Sequence, residues 1–298
     1  MGWRAERGVR LLKAMRHVLD VEKHILIVGE TRCGKTSLSK LLIRLSIERG
    51  WRPLIVDFDG EYGDQGFEEL PIAFSRKLMP FILAKVVAKE GGTTGSATAY
   101  AVYRALKEAS DLDDLIRRLE LLAVDGSYSL RVGALAALSR LLPLVEYSEN
   151  LILLEESSMY LRADEVRPGR IDLSSLPGWV REVAAALVLS SINLELVESR
   201  AVNPTLLVLE EAHFYFKEGG GEDIERIGIR KGVKVVRVQQ KLPESYENYV
   251  LLLGTMGNDA NILLRDLRLP VKATKLRRYE FMLIDQEAGK CWKIRMRA

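Results

Sequence analysis

Cysteine and long apolar runs are the two things that this sequence has least of. Its 298 residues include only two cysteines, Cys33 and Cys291, which excludes a cysteine-rich metal cluster and is typical of a protein in a reducing compartment. No uninterrupted apolar stretch approaches the roughly 18 residues that a membrane-spanning helix requires. Basic residues also interrupt the N-terminal stretch where a signal peptide would have its apolar core. We therefore expect a cytoplasmic protein that does not insert into a membrane.

The rest of the composition is that of a globular protein whose positive charge is concentrated at one end. Hydrophobic residues make up 48% and charged residues 29% of the chain, and the formal net charge is +3. The segment Leu264–Ala298 contains ten Lys or Arg and four Asp or Glu, a local balance of +6. Such a basic segment suits a polyanion such as DNA. It is equally typical of a solvated β-hairpin with cationic outward faces.

Residues 29–36 match G-x-x-x-x-G-K-[ST], the pattern of a phosphate-binding P-loop. The apolar run His24–Val28 before them is of buried-strand type, and Ser37–Gly50 after them has a helical pattern. An ordinary glycine-containing turn would not need this strand–loop–helix context. The predicted nucleotide-binding residues are Gly29, Glu30, Thr31, Arg32, Cys33, Gly34, Lys35, Thr36 and Ser37.

The residue types in this loop explain how it would hold a nucleotide. Glycines at its two ends let the backbone fold tightly around the β- and γ-phosphates, and the following helix directs its positive end at the anion. Lys35 supplies a point charge, and the hydroxyl of Thr36 is a ligand for Mg²⁺. The sequence therefore predicts binding of ATP with Mg²⁺.

A second strand brings two consecutive carboxylates that would complete a hydrolytic site. The apolar run Thr205–Leu209 ends in Glu210 and Glu211, where ligands sit in parallel sheets. We expect Glu210 to hold Mg²⁺ opposite Thr36, and Glu211 to act as the general base that activates water. The alternative is that the two acids simply begin a surface helix.

Gln240 follows the next predicted strand, Lys234–Val238. An amide offers both a donor and an acceptor, so a glutamine placed there can hydrogen-bond the γ-phosphate or the attacking water. An exposed loop glutamine without a role would fit the same pattern.

Alternating strand and helix patterns predict an α/β protein with a mainly parallel sheet. We expect an N-terminal helix within residues 1–22 and one ATPase domain over residues 23–298, with a helical subdomain inserted at about 71–147. The other predicted strands are Pro53–Phe58, Leu151–Leu154, Arg170–Leu173 and Tyr249–Leu253, and a closing hairpin is predicted from Tyr279–Ile284 and Cys291–Arg297. The predicted helices are Gly2–Leu19, Ile72–Lys89, Ala97–Ala109, Leu112–Leu122, Leu130–Leu144 and Trp179–Glu198.

In these motifs the chain resembles the HerA/FtsK superfamily of DNA-pumping ATPases, and most closely its HerA-type branch. Besides the P-loop, the resemblance rests on Asp57–Tyr62, Arg170–Ser174, Glu210–His213, and Gly232–Val233 eight residues before Gln240. Their order and spacing match that family along residues 24–245. The resemblance implies a RecA-like ATPase core, a ring of six subunits around duplex DNA, and Gln240 as the residue that senses the γ-phosphate.

Two departures from the family pattern affect the expected partners. HerA-type proteins usually carry an N-terminal β-barrel before the P-loop, whereas only about 23 residues precede the P-loop strand here. We therefore expect a motor without the barrel and without the docking surface that the barrel would offer to a nuclease, such as a viral genome-packaging or plasmid-encoded ATPase. A nuclease and a capsid or portal protein are the candidate partners. In addition, Ile229 stands where the family commonly has the arginine that reaches into a neighbour's ATP site. Arg230 is our prediction for this finger, with Arg226 as the second choice and a surface ion pair within Glu222–Lys231 as the alternative.

The function expected from the sequence is ATP hydrolysis coupled to movement of double-stranded DNA by a homo-oligomeric ring. One alternative is a P-loop ATPase that moves protein, of the secretion or conjugation type. Another is an inactive nucleotide-binding structural subunit, against which the intact Lys35 and Glu211 argue.

Overall fold

The computed structural model describes residues 4–6, 11–89, 94–147, 151–154, 160–161, 168–198, 203–256 and 276–296, the first of these ranges by its backbone alone. The strands in these ranges are β1 (Arg4–Glu6), β2 (His24–Val28), β3 (Arg52–Asp57), β4 (Glu68–Glu69), β5 (Ile72–Ser75), β6 (Leu151–Leu154), β7 (Gly169–Asp172), β8 (Thr205–Glu210), β9 (Val233–Gln239), β10 (Tyr249–Leu253), β11 (Glu280–Asp285) and β12 (Lys290–Arg295). The α-helices are α1 (Leu11–Asp20), α2 (Lys35–Ile47), α3 (Met79–Lys89), α4 (Gly95–Leu106), α5 (Leu112–Asp125), α6 (Tyr128–Tyr147), α7 (Gly178–Glu198) and α8 (Gly221–Ile227).

Most of the strands form one large sheet, in the order β1-β12-β11-β10-β2-β9-β8-β3-β7-β4. The strands from β10 to β4 in this order run parallel, and β11 and β12 form an antiparallel hairpin on the β10 side. The mainly parallel sheet and the closing hairpin that the sequence predicts are therefore confirmed. The P-loop strand β2 lies between β10 and β9.

The central strands are buried on both faces, as expected for a parallel sheet covered by helices. In β8, Leu206 and Val208 join the core beneath α1 and α2, whereas Leu207 and Leu209 join the core beneath α7. Because side chains alternate along a strand, an unbroken apolar run is what allows β8 to fill both layers. Packing in these two layers fixes the position of the end of β8, where Glu210 and Glu211 lie.

The inserted subdomain begins with a strand, where the sequence pattern predicts a helix over Ile72–Lys89. Residues Ile72–Ser75 form β5, which pairs in parallel with β6 in a separate two-stranded sheet, and the helix α3 starts only at Met79. Pairing with β6 and burial of Phe74 override the helical periodicity of this segment. The strand predicted at Leu151–Leu154 is present but belongs to this small sheet and not to the large one.

The N-terminal helix is shorter than predicted. Residues Arg4–Glu6, which lie inside the helix expected over Gly2–Leu19, form β1 and pair in parallel with β12 at the edge of the large sheet. Helix α1 runs from Leu11 to Asp20 and buries its apolar side against the core of β2 and α2. A free sheet edge offers backbone hydrogen bonds that an isolated helical turn cannot match, which accounts for the difference.

Helix α6 is long and apolar enough, by length and composition, to pass as a membrane-spanning segment, and it is the one helix among the described residues that does so. Its buried residues, including Ala134, Ala137 and Leu141, pack into the core that it shares with α4 and α5. Core helices of ordinary domains pass the same test.

Candidate nucleotide-binding site

The carboxyl ends of four adjacent parallel strands bring the predicted site residues to one edge of the sheet. Val28 at the end of β2 is paired with Gln239 at the end of β9, and Glu210 at the end of β8 is paired with Val238. Ligands bind at this edge in open α/β sheets. A cavity of about 330 Å³ lies there, between the P-loop and the ends of β3, β8 and β9.

The P-loop connects β2 to α2 through two left-handed residues. Arg32 has φ 65° and Gly34 has φ 105°, and α2 begins immediately afterwards at Lys35. Lys35 is buried, and its Nζ donates to the carbonyl oxygens of Gly29 at 3.0 Å and Glu30 at 3.2 Å. The ammonium group is thus held within the loop at the N-terminal end of α2, which is a site suited to anions.

Six of the nine predicted P-loop residues line the cavity, and three do not. Those that line it are Thr31, Arg32, Gly34, Lys35, Thr36 and Ser37. The other three use their backbone N–H groups within the protein: Gly29 donates to Gln239, Glu30 to Thr255, and Cys33 to Glu30. Cys33 is buried, and burial raises the pKa of its thiol above the usual range, so the thiol stays protonated.

The turn after β3 places a carboxylate against the P-loop threonine. The buried side chain of Asp57 accepts hydrogen bonds from the backbone N–H groups of Glu61 and Tyr62, at 3.0 and 3.1 Å. Arg170 pairs with Asp57 at 3.1 Å and fixes its orientation. The turn held in this way presents Glu61, whose carboxylate accepts a hydrogen bond from the hydroxyl of Thr36.

Glu210 is buried at the end of β8. Its Oε2 accepts from the backbone N–H of Asp59 at 3.2 Å. Burial, together with the neighbouring Asp57 carboxyl group, raises the pKa of Glu210 well above the usual range. A nearby cation would stabilise the ionised form of this buried carboxyl group.

The donor set at this edge fits Mg²⁺, which prefers oxygen ligands and few protein groups. Thr36 offers a hydroxyl, and Glu210 and Glu61 offer carboxylates, next to the phosphate-binding loop. Among the residues that the structure describes, no three His, Cys, Asp or Glu side chains form a ready metal cluster. Mg²⁺ is usually held by one or two protein ligands together with substrate phosphates.

Glu211 follows β8 in a left-handed conformation, with φ 46°, and lines the cavity beside Lys35. The amide Nε2 of Gln240 donates to Glu211 Oε1 at 3.2 Å. The other oxygen, Oε2, is buried and lies 3.3 Å from Nδ1 of His213, yet it accepts no hydrogen bond from the described residues. Burial raises the pKa of Glu211 above its usual range and lowers the pKa of His213 to about 4.

The predicted arginine finger lies away from the cavity of its own subunit. Arg230 is exposed in the short 3₁₀ turn Ile229–Lys231 that precedes β9. Arg226 is exposed as well and pairs with Asp223 at 2.9 Å, the surface ion pair that the sequence left as an alternative. A role for either arginine in a neighbouring site stays a prediction.

Five further residues line the cavity without having been assigned to it from the sequence. They are Asp59, Glu61, Val238, Arg278 and Tyr279. Asp59 and Glu61 belong to the turn after β3, so their position in the motif Asp57–Tyr62 was the available signal. Arg278 and Tyr279 precede the C-terminal hairpin, and only the fold brings them to the P-loop.

Comparison with known proteins agrees with this geometry. Residues 15–114, which contain the P-loop, β3 and the first part of the insertion, match the family model of the central domain of helicase HerA. Among curated proteins, none matches the chain.

Solved structures share the fold over nearly the whole chain. The plasmid coupling protein TrwB in complex with ADP and Mg²⁺ has a TM-score of 0.68 at 15% identity, covering 98% of this chain and 93% of TrwB. VirB4 of Thermoanaerobacter pseudethanolicus has a TM-score of 0.64 at 14% identity, covering 92% of this chain and 89% of VirB4. At such identities the likeness shows the fold alone. Residues 15–114 are thus similar to the central domain of helicase HerA, and the chain as a whole shares the fold of TrwB and VirB4.

Proposed function

We propose that the protein is an ATPase that couples hydrolysis to the movement of double-stranded DNA through a homo-oligomeric ring. The observation that carries the catalytic part is that Lys35 and Glu211, which are far apart in sequence, line one cavity of about 330 Å³. One group suits phosphate binding and the other suits activation of water.

Each side chain has a separate task in this mechanism. Lys35 and the backbone of the P-loop hold the β- and γ-phosphates, and Glu211 accepts a proton from water as its oxygen attacks the γ-phosphorus. The bond to the bridging oxygen breaks, and ADP and phosphate leave. The raised pKa of Glu211 favours this role, because a more basic carboxylate is a better proton acceptor near neutral pH.

Gln240 and the metal ligands support this step. Gln240 orients Glu211 through its hydrogen bond and would respond to the γ-phosphate. Thr36 and Glu210 are the residues that would hold Mg²⁺, with Glu61 beside them. A bound Mg²⁺ supplies charge neutralisation for the phosphate oxygens.

The proposal of DNA as the moved polymer rests on the family match and on charge. Helicase HerA gives its name to the matched family, and the segment Leu264–Ala298 carries a balance of +6. Contacts to backbone phosphates would make DNA binding tolerant of sequence and steeply dependent on salt. A second candidate is a conjugation-type motor, favoured by the likeness to TrwB, which is described as a bacterial conjugative coupling protein.

The test is the rate of phosphate release from ATP, measured with no polymer, with duplex DNA and with single-stranded DNA over a series of salt concentrations. We expect duplex DNA to stimulate turnover, with an effect that falls steeply as salt rises. Lys35→Ala should abolish turnover, whereas Lys77→Ala, which truncates an exposed lysine outside the cavity, should not change it.

The possible results separate the candidate functions. Turnover that duplex DNA does not change would overturn the DNA-motor proposal and favour the protein-moving alternative. Absence of ATP turnover in the wild-type protein, with binding intact, would favour the inactive structural subunit.

A further inference from the structure

Arg278 and Tyr279 lie at the opposite side of the P-loop from the catalytic carboxylates. The sheet order places β8 and β9 on one side of β2 and places β10 and β11 on the other. Glu210 is the last residue of β8, and Glu211 and Gln240 directly follow β8 and β9, whereas Arg278 and Tyr279 directly precede β11. Because β11 is antiparallel to β10, its start lies at the carboxyl edge, next to the phosphate loop.

The backbone of Tyr279 is fixed to the P-loop and to the last strand. Its N–H donates to the carbonyl of Cys33 at 3.0 Å, and its carbonyl accepts from Met296 at 2.9 Å. Its φ of 63° is a left-handed conformation that a bulky residue rarely adopts. Backbone strain of this kind is concentrated at ligand sites, where the surrounding structure maintains it.

The side chains of the pair form an aromatic and cationic wall of the cavity. The half-buried Tyr279 ring lies so close to Gly34 that a Cβ added there would stand 2.5 Å from ring atom Cδ1. The exposed Arg278 has its guanidinium carbon 4.9 Å from the ring centroid, and its Nη2 donates to the Tyr279 hydroxyl at 3.0 Å. Both residues line the same cavity as Thr36 and Ser37.

One orientation of a nucleotide matches the groups that the described residues place on the two sides of this cavity. The γ-phosphate must face Glu211 and Gln240, since water is activated there, and Lys35 holds the phosphates in the middle. The nucleoside then extends past Ser37 towards Arg278 and Tyr279. An aromatic ring and a guanidinium plane are the groups on which nucleobases stack.

We propose that Arg278 and Tyr279 form the base-binding wall of the nucleotide site, where the base stacks on the Tyr279 ring and the Arg278 guanidinium closes its outer side. This inference rests on the proposed function, because it assumes that a nucleotide occupies the P-loop. Stacking does not read the edges of a base, so ADP and GDP should bind with affinities within about fivefold of each other.

The test compares binding of ADP with binding of inorganic tripolyphosphate, which has the phosphates but no base, by titration calorimetry. Tyr279→Asn removes the ring while keeping a residue that tolerates the left-handed conformation, and Arg278→Ala removes the guanidinium. We expect each variant to lose about tenfold in ADP affinity and to bind tripolyphosphate as the wild type does. Arg277→Ala, at an exposed position outside the cavity, is the matched control and should bind both compounds as the wild type does.

Three results would count against these ideas in different ways. If Tyr279→Asn and Arg278→Ala bind ADP as tightly as the wild type, the base-binding wall is wrong. If Tyr279→Asn loses ADP and tripolyphosphate equally, Tyr279 only supports the P-loop and the inference is also wrong. If the wild-type protein binds neither compound, the proposed function itself fails.

Discussion

At the scale of single residues, Glu211 links backbone strain to chemistry. A non-glycine residue in a left-handed conformation costs roughly 1–2 kcal/mol, yet the chain holds Glu211 there, with φ 46°. The conformation turns the carboxylate away from the strand and into the cavity, where Gln240 binds it. The strain is therefore tied to the position of the predicted general base.

Glu211→Gln is expected to lower the rate of ATP hydrolysis by roughly 10²–10⁴-fold, because an amide cannot accept the proton of the attacking water. Binding of ADP should be unchanged within about threefold, since Lys35 and the P-loop are intact. Phosphate release and equilibrium ADP binding are the two measurements. A variant that hydrolyses ATP at the wild-type rate would show that another group is the base.

The buried His24 at the start of β2 should make the stability of the protein depend on pH. The Nε2 of His24 is 2.8 Å from the carbonyl oxygen of Glu225, and its Nδ1 accepts from the N–H of Val235 at 3.0 Å. This pattern requires the neutral ring, and burial lowers the pKa of His24 from 6.5 to about 4. A lowered pKa contributes stability that is present above pH 6.5 and is lost as the pH falls through 4.

The contribution of His24 to the unfolding free energy should fall by about 3 kcal/mol between pH 7.5 and pH 4. His24→Gln keeps a donor for Glu225 but does not titrate, so its stability should vary less over this range, although it is lower at pH 7.5. Urea unfolding at several pH values measures both proteins. Parallel pH profiles for the two would contradict the assignment.

At the scale of elements, Gly133 allows helices α4 and α6 to cross closely. A Cβ added at Gly133 would stand 2.2 Å from the carbonyl oxygen of Ala97 and 2.9 Å from the backbone nitrogen of Thr98. Backbone atoms cannot move aside as a flexible side chain would. The two helices must therefore separate if a larger residue is introduced.

Gly133→Ala is expected to lower the unfolding free energy by roughly 1–3 kcal/mol, even though alanine favours helix over glycine. Gly178→Ala at the start of α7 is the control, because a Cβ there meets no atom within 4 Å. Urea midpoints compare the two, and the described parts of α4 and α6 contribute nothing to the cavity, so ADP binding should persist in both. Equal midpoints for the two variants would contradict the close crossing.

Some of the strands could be predicted from the sequence, and others could not. Strands were predicted correctly at two buried runs, His24–Val28 and Thr205–Leu209. Few structures other than a central strand bury a short, continuous apolar run between polar turns. The segments Arg4–Glu6 and Ile72–Ser75 were misjudged because their partners, β12 and β6, are distant in the chain. Pairing partners, and not local periodicity, decided the structure of these segments.

The same distinction applies to the site. Lys35, Glu210, Glu211 and Gln240 were predictable because each lies at or after the end of a strand that stops at the same edge of the sheet. Arg278 and Tyr279 have no local pattern that points to a nucleotide. They reach the P-loop only because the hairpin of β11 and β12 is added next to β10.

At the scale of the whole molecule, the proposed ring would bring the exposed Arg230 of one subunit to the cavity of its neighbour. Among the cavity-lining residues, the cations are Arg32, Lys35 and Arg278, and Arg230 is exposed elsewhere. A finger from a neighbour would stabilise the charge that develops on the γ-phosphate and would couple hydrolysis to assembly. This geometry can be tested by mixing subunits.

Arg230→Ala is expected to lower ATP turnover by about 10²-fold or more while leaving ADP binding unchanged. When Arg230→Ala and Glu211→Gln subunits are mixed, some interfaces combine an intact Glu211 with an intact Arg230, so part of the activity should return. The same mixture made with Arg226→Ala tests the second arginine. If mixing restores nothing, Arg230 does not act across an interface.

The hydrogen bond from Tyr279 to Cys33 has a consequence for the order in which the protein is made. The P-loop leaves the ribosome before the segments that pair with it, so β2 must wait for its neighbours β9 and β10, and Cys33 must wait for Tyr279. At 5–20 residues per second, roughly 10–50 s separate the translation of Cys33 and Tyr279. A nascent chain therefore cannot complete its phosphate site until Tyr279 has been translated, and a truncated product that ends before Tyr279 would lack this closing contact.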